Sequence, residues 1–258
     1  MIFLGIDLGW QTGPSGVCCL TLDGASLLLV ALDRLNTHSQ VFDWIDRFAP
    51  GSTPAMVAVD APTIIPNPTG MRQPDRLAHK YFGKYHAGCY PASQASAFAP
   101  RLLAFEQGLT EQGFSHAPTL DPQQPGRYQI EFFPHPAMVH LFGLARILKY
   151  KKGRIAQRRQ ELERLRSLLL HHLPNHTPRL EMNHLPTIPA VPPVGGAALK
   201  AVEDQLDSIV CAYGAAHWWY WGHQRNQVLG DLESGYIVVP DPYDVRDYSP
   251  AIAPIGDR

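Results

Sequence analysis

Over its first 60 positions the chain alternates short, uninterrupted apolar runs with Gly- and Pro-rich breaks. Residues 2–7 (IFLGID), 16–22 (GVCCLTL) and 27–34 (LLLVALDR) predict three strands, the last two joined by a hairpin at Asp23-Gly24. The period then lengthens. Val41, Trp44, Ile45 and Phe48 fall on one face of a helix capped by Thr37 or Ser39. Residues 56–60 (MVAVD) form a fourth strand, apolar on both faces and therefore expected at the centre of a sheet.

A loop-rich segment follows from 61 to about 125, with a turn at 67–70 (NPTG), a helix opened by 72–76 (RQPDR) and a second helix over about 99–113. Strand five is 128–133 (YQIEFF), and a helix begins at Pro136, since Pro is favoured in a first turn. A charged helix over 153–172, a proline-rich wrapping loop over 174–194, a long helix over 197–221 and an edge strand at 236–239 complete the pattern. The expectation is an α/β fold in a single domain, 1–258, with about five strands. Segment 61–125 is then an insertion and 222–258 a C-terminal extension.

Composition changes this picture little. The formal net charge of −1 over 258 residues gives no global field for nucleic acid or membrane, so any basic surface must be local. Cys18, Cys19, Cys89 and Cys211 form no CxxC pair, which argues against a zinc knuckle or disulfide framework. No run of about 18 apolar residues exists, and the start MIFL lacks a basic leader segment. A cytoplasmic protein without membrane contact is expected.

The polar positions that interrupt the apolar runs carry the chemistry. Asp7 ends strand one and Asp60 ends strand four. Asp204 and Asp207 lie three apart on the last long helix, sharing a face with Lys200 and Glu203 opposite Val202, Leu206, Ile209, Val210 and Tyr213. Taken singly, each has a plain reading: Asp7 and Asp60 as strand-ending turn residues, Asp204 and Asp207 as a solvated face, Glu131 as the partner of a nearby Arg. Taken together they differ. Ligands of open sheets sit outside the carboxyl ends of the strands. Two strand-end aspartates facing an acidic helix suit a hard divalent cation, Mg²⁺ or Mn²⁺, and two such ions serve phosphodiester hydrolysis.

The motifs GIDLGW (5–10), VAVDAP (57–62), GMRQPDR (70–76), GCYPAS (88–93), IEFFPHPA (130–137), YKKGRIAQRR (150–159) and EDQLDSIVCAY (203–213) span nearly the whole chain. In this order they resemble the domain-of-unknown-function family 429, described as ribonuclease-H-like nucleases. The element order resembles the ribonuclease-H-like fold, and the Asp7, Asp60 and Asp204/Asp207 set resembles the catalytic carboxylates of Holliday-junction resolvases. The resemblance implies a mixed sheet with strands one to three antiparallel and strand four parallel to strand one. It also implies a metal-dependent nuclease with Asp7, Asp60, Asp204, Asp207 and Glu131 as site residues.

On the substrate side, residues 149–166 hold eight Lys or Arg against two Glu, a patch suited to phosphate or, equally, to a solvated helix. Lys151, Lys152 and Arg154 near the helix start are the candidate nucleic-acid contacts, with Arg72 and Arg76 behind them. His135, between two prolines, is a turn residue or else a proton carrier or ligand-orienting group; Lys200 is expected beside the acids. Histidines 171, 172 and 176 lack acidic or Cys partners at ligand spacing.

Two rival functions remain open. A sugar-kinase or actin-like ATPase also opens with a strand-Asp-Gly turn, but Pro62 stands where its second turn needs glycine. A non-catalytic ribonuclease-H-like module would keep the basic helix without an organised metal. The type of nucleic acid and the oligomeric state leave no mark on the sequence.

Overall fold

The structure is a computed structural model that describes residues 1–11, 13–182, 186–192 and 195–243. The apolar runs become strands with little shift: β1 (Ile2–Asp7), β2 (Ser15–Asp23), β3 (Ser26–Leu35) and β4 (Ala55–Val59). Gly24, at φ 58°, lets β2 turn tightly into β3. Helix α1 (His38–Phe48) starts at a capping box in which Thr37 and Gln40 satisfy each other's backbone N–H groups. Next come α2 (Gln73–Phe82), α3 (Ala99–Glu111), β5 (Ser115–His116), β6 (Arg127–Glu131) and α4 (Pro134–Leu141). The chain continues through α5 (Ile155–His172), β7 (Arg179–Glu181), α6 (Gly196–Trp221), β8 (Asn226–Asp231) and β9 (Gly235–Pro240).

The main sheet has seven strands in the order β5-β6-β4-β1-β2-β3-β7. β1 runs antiparallel to β2 and β2 to β3, whereas β4 is parallel to β1 and β6 to β4. Strands one to three are antiparallel and strand four is parallel to strand one, as expected. The sheet exceeds the expected five strands because β5 and β7 are only two and three residues long, too short to carry a period. β9 does not extend an edge of the main sheet as a full strand. It pairs with β8 in a separate ribbon and meets the sheet through a bridge, Phe132 to Val238, and through the Tyr236 hydroxyl, which donates to the Gln129 carbonyl at 3.0 Å. Helix α4 begins two residues before Pro136, at Pro134, because a first turn tolerates prolines: an N–H at those positions would have no intrahelical partner anyway. The ends of two expected segments, 183–185 and 193–194 in the proline-rich loop and 244–258 of the C-terminal extension, lie outside the described residues.

Alternation along the strands divides the core. Phe3, Met56, Ala58 and Ile130 face α4, α5 and α6, while Leu4, Ile6, Val57 and Val59 face α1 and α3. Helix α6 lies in backbone contact with the sheet. A Cβ on Gly5 would stand 2.0 Å from the Ser208 carbonyl oxygen and 2.2 Å from the Ala212 nitrogen. Glycine at this position of β1 therefore sets how deep the helix sits. Leu206, Ile209, Val210 and Tyr213 of α6 are fully buried, each worth roughly 1.5–3 kcal/mol relative to exposure. The four cysteines are unpaired thiols, and among the described residues no helix is long and apolar enough to cross a membrane.

Candidate active site

The same alternation aims the acids. Asp7 follows Phe3 and Gly5 on the α6 side of β1, and Asp60 follows Met56 and Ala58 on the same side of β4. The Asp60 N–H donates to the Ile6 carbonyl at 2.8 Å, so the parallel ladder continues one residue past β4 and fixes the turn. Helix α6 brings Glu203, Asp204 and Asp207 over these strand ends, each 2% exposed or less. They are not a solvated face.

Asp7, Asp60 and Asp207 form an inner group around one cation. The Lys151 ammonium lies 2.8 Å from Asp207 Oδ2 and 3.8 Å from Asp60 Oδ2. The Tyr150 hydroxyl donates to Asp207 Oδ1 at 2.7 Å. Burial pushes the Asp7 carboxyl well above the ordinary carboxylate range; Lys151 opposes this, and Asp207 and Asp60 add to it. Burial likewise raises Asp60 to about 6, against the pull of Lys151 and of a hydrogen bond with Asp7. Burial works against the Lys151 charge, yet Asp207, Asp7 and Asp60 together hold the ammonium charged well above its usual range.

Asp204 belongs to an outer group one turn away. Lys200 Nζ is 2.6 Å from both Asp204 Oδ1 and Glu203 Oε1, and Arg34 Nε is 2.8 Å from Asp204 Oδ2. Arg158 Nη2 reaches Glu203 Oε2 at 3.3 Å. Lys200 also acts on Asp7, so both α6 aspartates share a cation with a strand-end acid; Asp207 is the one whose cation stands within ion-pair distance of one, Asp60.

Glu131 and Arg72 engage each other. Glu131 pairs in register with Val59, whose side chain faces α1 and α3, so it leaves the sheet on the side opposite Asp60. There the Arg72 guanidinium grips it with two bonds of 2.6 and 2.7 Å and also holds Asp75 at 2.8 Å, all three nearly inaccessible. The backbone N–H groups of Thr63 and Ala92 complete the network at 3.1 and 3.0 Å. This buried triad fastens the start of α2 to β6. His135 lies beside the inner group, its ring 5.7 Å from that of Tyr150. Burial, reinforced by Lys151, lowers it to about 4. Its Nδ1 is buried without a hydrogen-bond partner among the described residues. Lys152 and Arg154 are exposed, Arg154 at the start of α5.

A cleft of about 1110 Å³ opens over these residues. Asp7, Asp60, Asp204, Lys200, Lys151 and His135 line its floor, Lys152 and Arg76 its walls, and Arg72 and Glu131 also border it. Asp207 does not line the cleft; Lys151, which does, lies 2.8 Å from it. Several members gave no signal in the sequence reading. Tyr150 stood in the YKKGR motif unassigned, Arg34 lay in an apolar strand, and Tyr90, 70% exposed on the cleft wall, lay in a loop.

Whether these side chains suit Mg²⁺ or Mn²⁺ turns on the donors. Among the described residues no group of three or more His, Cys, Asp or Glu stands ready to hold a metal ion. The inner acids are nonetheless hard oxygen donors from three separate elements, and a cation already lies between two of them. The donor chemistry fits a hard divalent ion on condition that Lys151 gives way.

Residues 5–233 match the family described as "Protein of unknown function (DUF429)", and the chain belongs to that family. Among solved structures, T. thermophilus RuvC in complex with Holliday junction substrate is similar at 13% identity and a TM-score of 0.36, over 83% of this chain and 95% of that one. No curated protein matches.

Proposed function

We propose that this DUF429 protein is a divalent-metal-dependent nuclease that hydrolyses phosphodiester bonds in the cleft above β1, β4 and α6. One observation carries the reading: three carboxylates from three elements gather around a single cation at the carboxyl edge of the sheet, under an open cleft.

Asp7, Asp60 and Asp207 are the residues that would hold Mg²⁺ or Mn²⁺. Such an ion, when bound, lowers the pKa of water and stabilises a departing oxygen. The other roles belong to the chain. Lys152 and Arg76 on the walls attract the phosphate backbone, and Lys200 on the floor meets the anion beside Asp204. Asp204, neutralised by Lys200 and Arg34, keeps both cations pointed at the cleft rather than binding the ion itself. His135, held neutral, carries a proton at Nε2, because its Nδ1 is sealed in the core. Tyr150 fixes the rotamer of Asp207.

The test is cleavage of single-stranded, duplex, hybrid and branched DNA and RNA with Mn²⁺, wild type against Asp7→Asn. Cleavage confined to wild type supports the reading, and cleavage surviving the substitution assigns it elsewhere. The ion pair between Lys151 and Asp207 favours one alternative, a non-catalytic nucleic-acid-binding module in which the acids are permanently neutralised. That module would bind the substrates and cleave none.

A further inference from the structure

Resting on that reading, we propose that Lys151 is a displaceable internal cation: it occupies the acids while no divalent ion is bound, and on exchange its ammonium swings into the cleft to hold the substrate phosphate.

Position makes the exchange necessary. Lys151 Nζ lies 2.8 Å from Asp207 Oδ2, a buried oxygen with no hydrogen-bond partner among the described residues, and 3.8 Å from Asp60 Oδ2, so it stands at the inner group. It also lines the cleft, which the fully buried Asp207 does not, so an ion entering from the cleft meets Asp207 only after the ammonium has left. Charge makes the exchange favourable. One ammonium brings a single positive charge to a group of three acids. A divalent ion brings twice that charge to the same oxygens.

The backbone permits it. Lys151 sits in the connection between α4 and α5, and its side chain is 31% exposed, so the stem has a path outward. The residue before it is pinned at both ends: the Tyr150 hydroxyl on Asp207, and the Tyr150 carbonyl accepting from Arg158 Nε at 2.8 Å. The residues after it, Lys152 and Gly153, are exposed, with Gly153 at φ 112°. A long side chain between an anchor and a glycine can change its target while the fold stays put. Its new target lies beside Lys152 at the cleft wall, where two ammonium groups suit one phosphate.

Linkage gives the consequence. If anion and divalent ion both favour the outward Lys151, each tightens the other's binding by the same factor. The probes are Mn²⁺ alone, followed by paramagnetic resonance of the free ion, and sulfate as the phosphate mimic. Wild type should bind Mn²⁺ weakly and roughly tenfold more tightly with sulfate present. Lys151→Met, which keeps the stem and removes the charge, should bind Mn²⁺ at least about tenfold more tightly than wild type and lose the sulfate effect. Lys151→Arg should stay weak.

A second measurement needs no substitution: acetylation of Lys151 in wild type, read by mass spectrometry, should quicken when Mg²⁺ is added. Equal or weaker Mn²⁺ binding by a folded Lys151→Met, or Lys151 acetylation that Mg²⁺ does not change, overturns the displaceable cation and leaves the metal site standing. Absence of Mn²⁺ binding in both wild type and Lys151→Met overturns the metal reading, and this proposal with it.

Discussion

Gly16 of β2 lies directly beneath Asp204 of α6: a Cβ at Gly16 would stand 2.0 Å from the Asp204 carbonyl oxygen. Together with Gly5 under Ser208 and Ala212, this contact sets the height of the acidic face above the sheet. Backbone atoms inside a helix cannot rotate away as a flexible side chain would.

Gly5→Ala and Gly16→Ala should therefore destabilise the protein by at least the roughly 1–3 kcal/mol usual for overpacking, and should displace α6. Gly83, with nothing within 4 Å of the Cβ position and φ −57°, is the control, and Gly83→Ala should melt close to wild type. Equal melting temperatures for all three variants would mean that α6 does not sit on the glycines.

The Arg72–Glu131–Asp75 triad predicts a large loss of stability when its cation is removed. Arg72→Met leaves two buried carboxylates facing each other without their guanidinium. The expected loss is about 3–5 kcal/mol, measured by urea unfolding. Lys152→Ala and Arg154→Ala, both exposed, should change stability by less than about 0.5 kcal/mol. They should weaken oligonucleotide binding for all sequences alike and flatten its salt dependence; an unchanged salt slope would remove them from the interface.

The pH dependence of stability should show two opposed slopes. His135 and His217 are buried and held at about 4, so the unfolded chain takes up their protons first as pH falls through 6.5. Each contributes stability that is complete above 6.5 and is lost toward pH 4, at about 1.4 kcal/mol per pH unit. Asp60, raised to about 6, acts the other way: its contribution is complete below 3.8 and is lost as pH rises through 6. Asp60→Asn should thus be more stable than wild type at pH 8 and lose more stability on acidification to pH 5. A substitution with no effect at pH 8 would show that Asp60 is not strained in the folded protein.

How much of this was legible in the sequence follows from how local each signal is. The strand ends bearing Asp7 and Asp60 were readable because an apolar run interrupted by a carboxylate is a local pattern. The period of α6 gave the shared face of Lys200, Glu203, Asp204 and Asp207, but not that glycines on β1 and β2 would sink that face out of solvent. The side of Glu131 depended on its register with Val59, a pairing 72 residues apart that no window contains. Lys151 read as one member of a basic run. Only the fold shows that it turns inward while Lys152 stays outside.

Asp7→Asn separates chemistry from stability most sharply. Asp7 is 8% exposed, and burial, with Asp207 and Asp60 nearby, favours its neutral form. A protonated carboxyl at this position donates to Asp60, and an asparagine amide can donate in the same place with the same shape. The substitution should hold or raise the melting temperature at pH 7–8, since no ionised form of residue 7 remains to be desolvated. Its effect on a divalent ion is the reverse: an amide oxygen carries no net charge, so the inner group loses a third of the negative charge available to Mg²⁺ or Mn²⁺. Cleavage should fall by orders of magnitude while oligonucleotide binding, governed by Lys152 and its neighbours, changes little. Parallel melting curves, Mn²⁺ titrations and cleavage assays on the one variant read all three quantities. A drop in stability with unchanged cleavage would mean that Asp7 is a structural acid and that the chemistry lies elsewhere in the cleft.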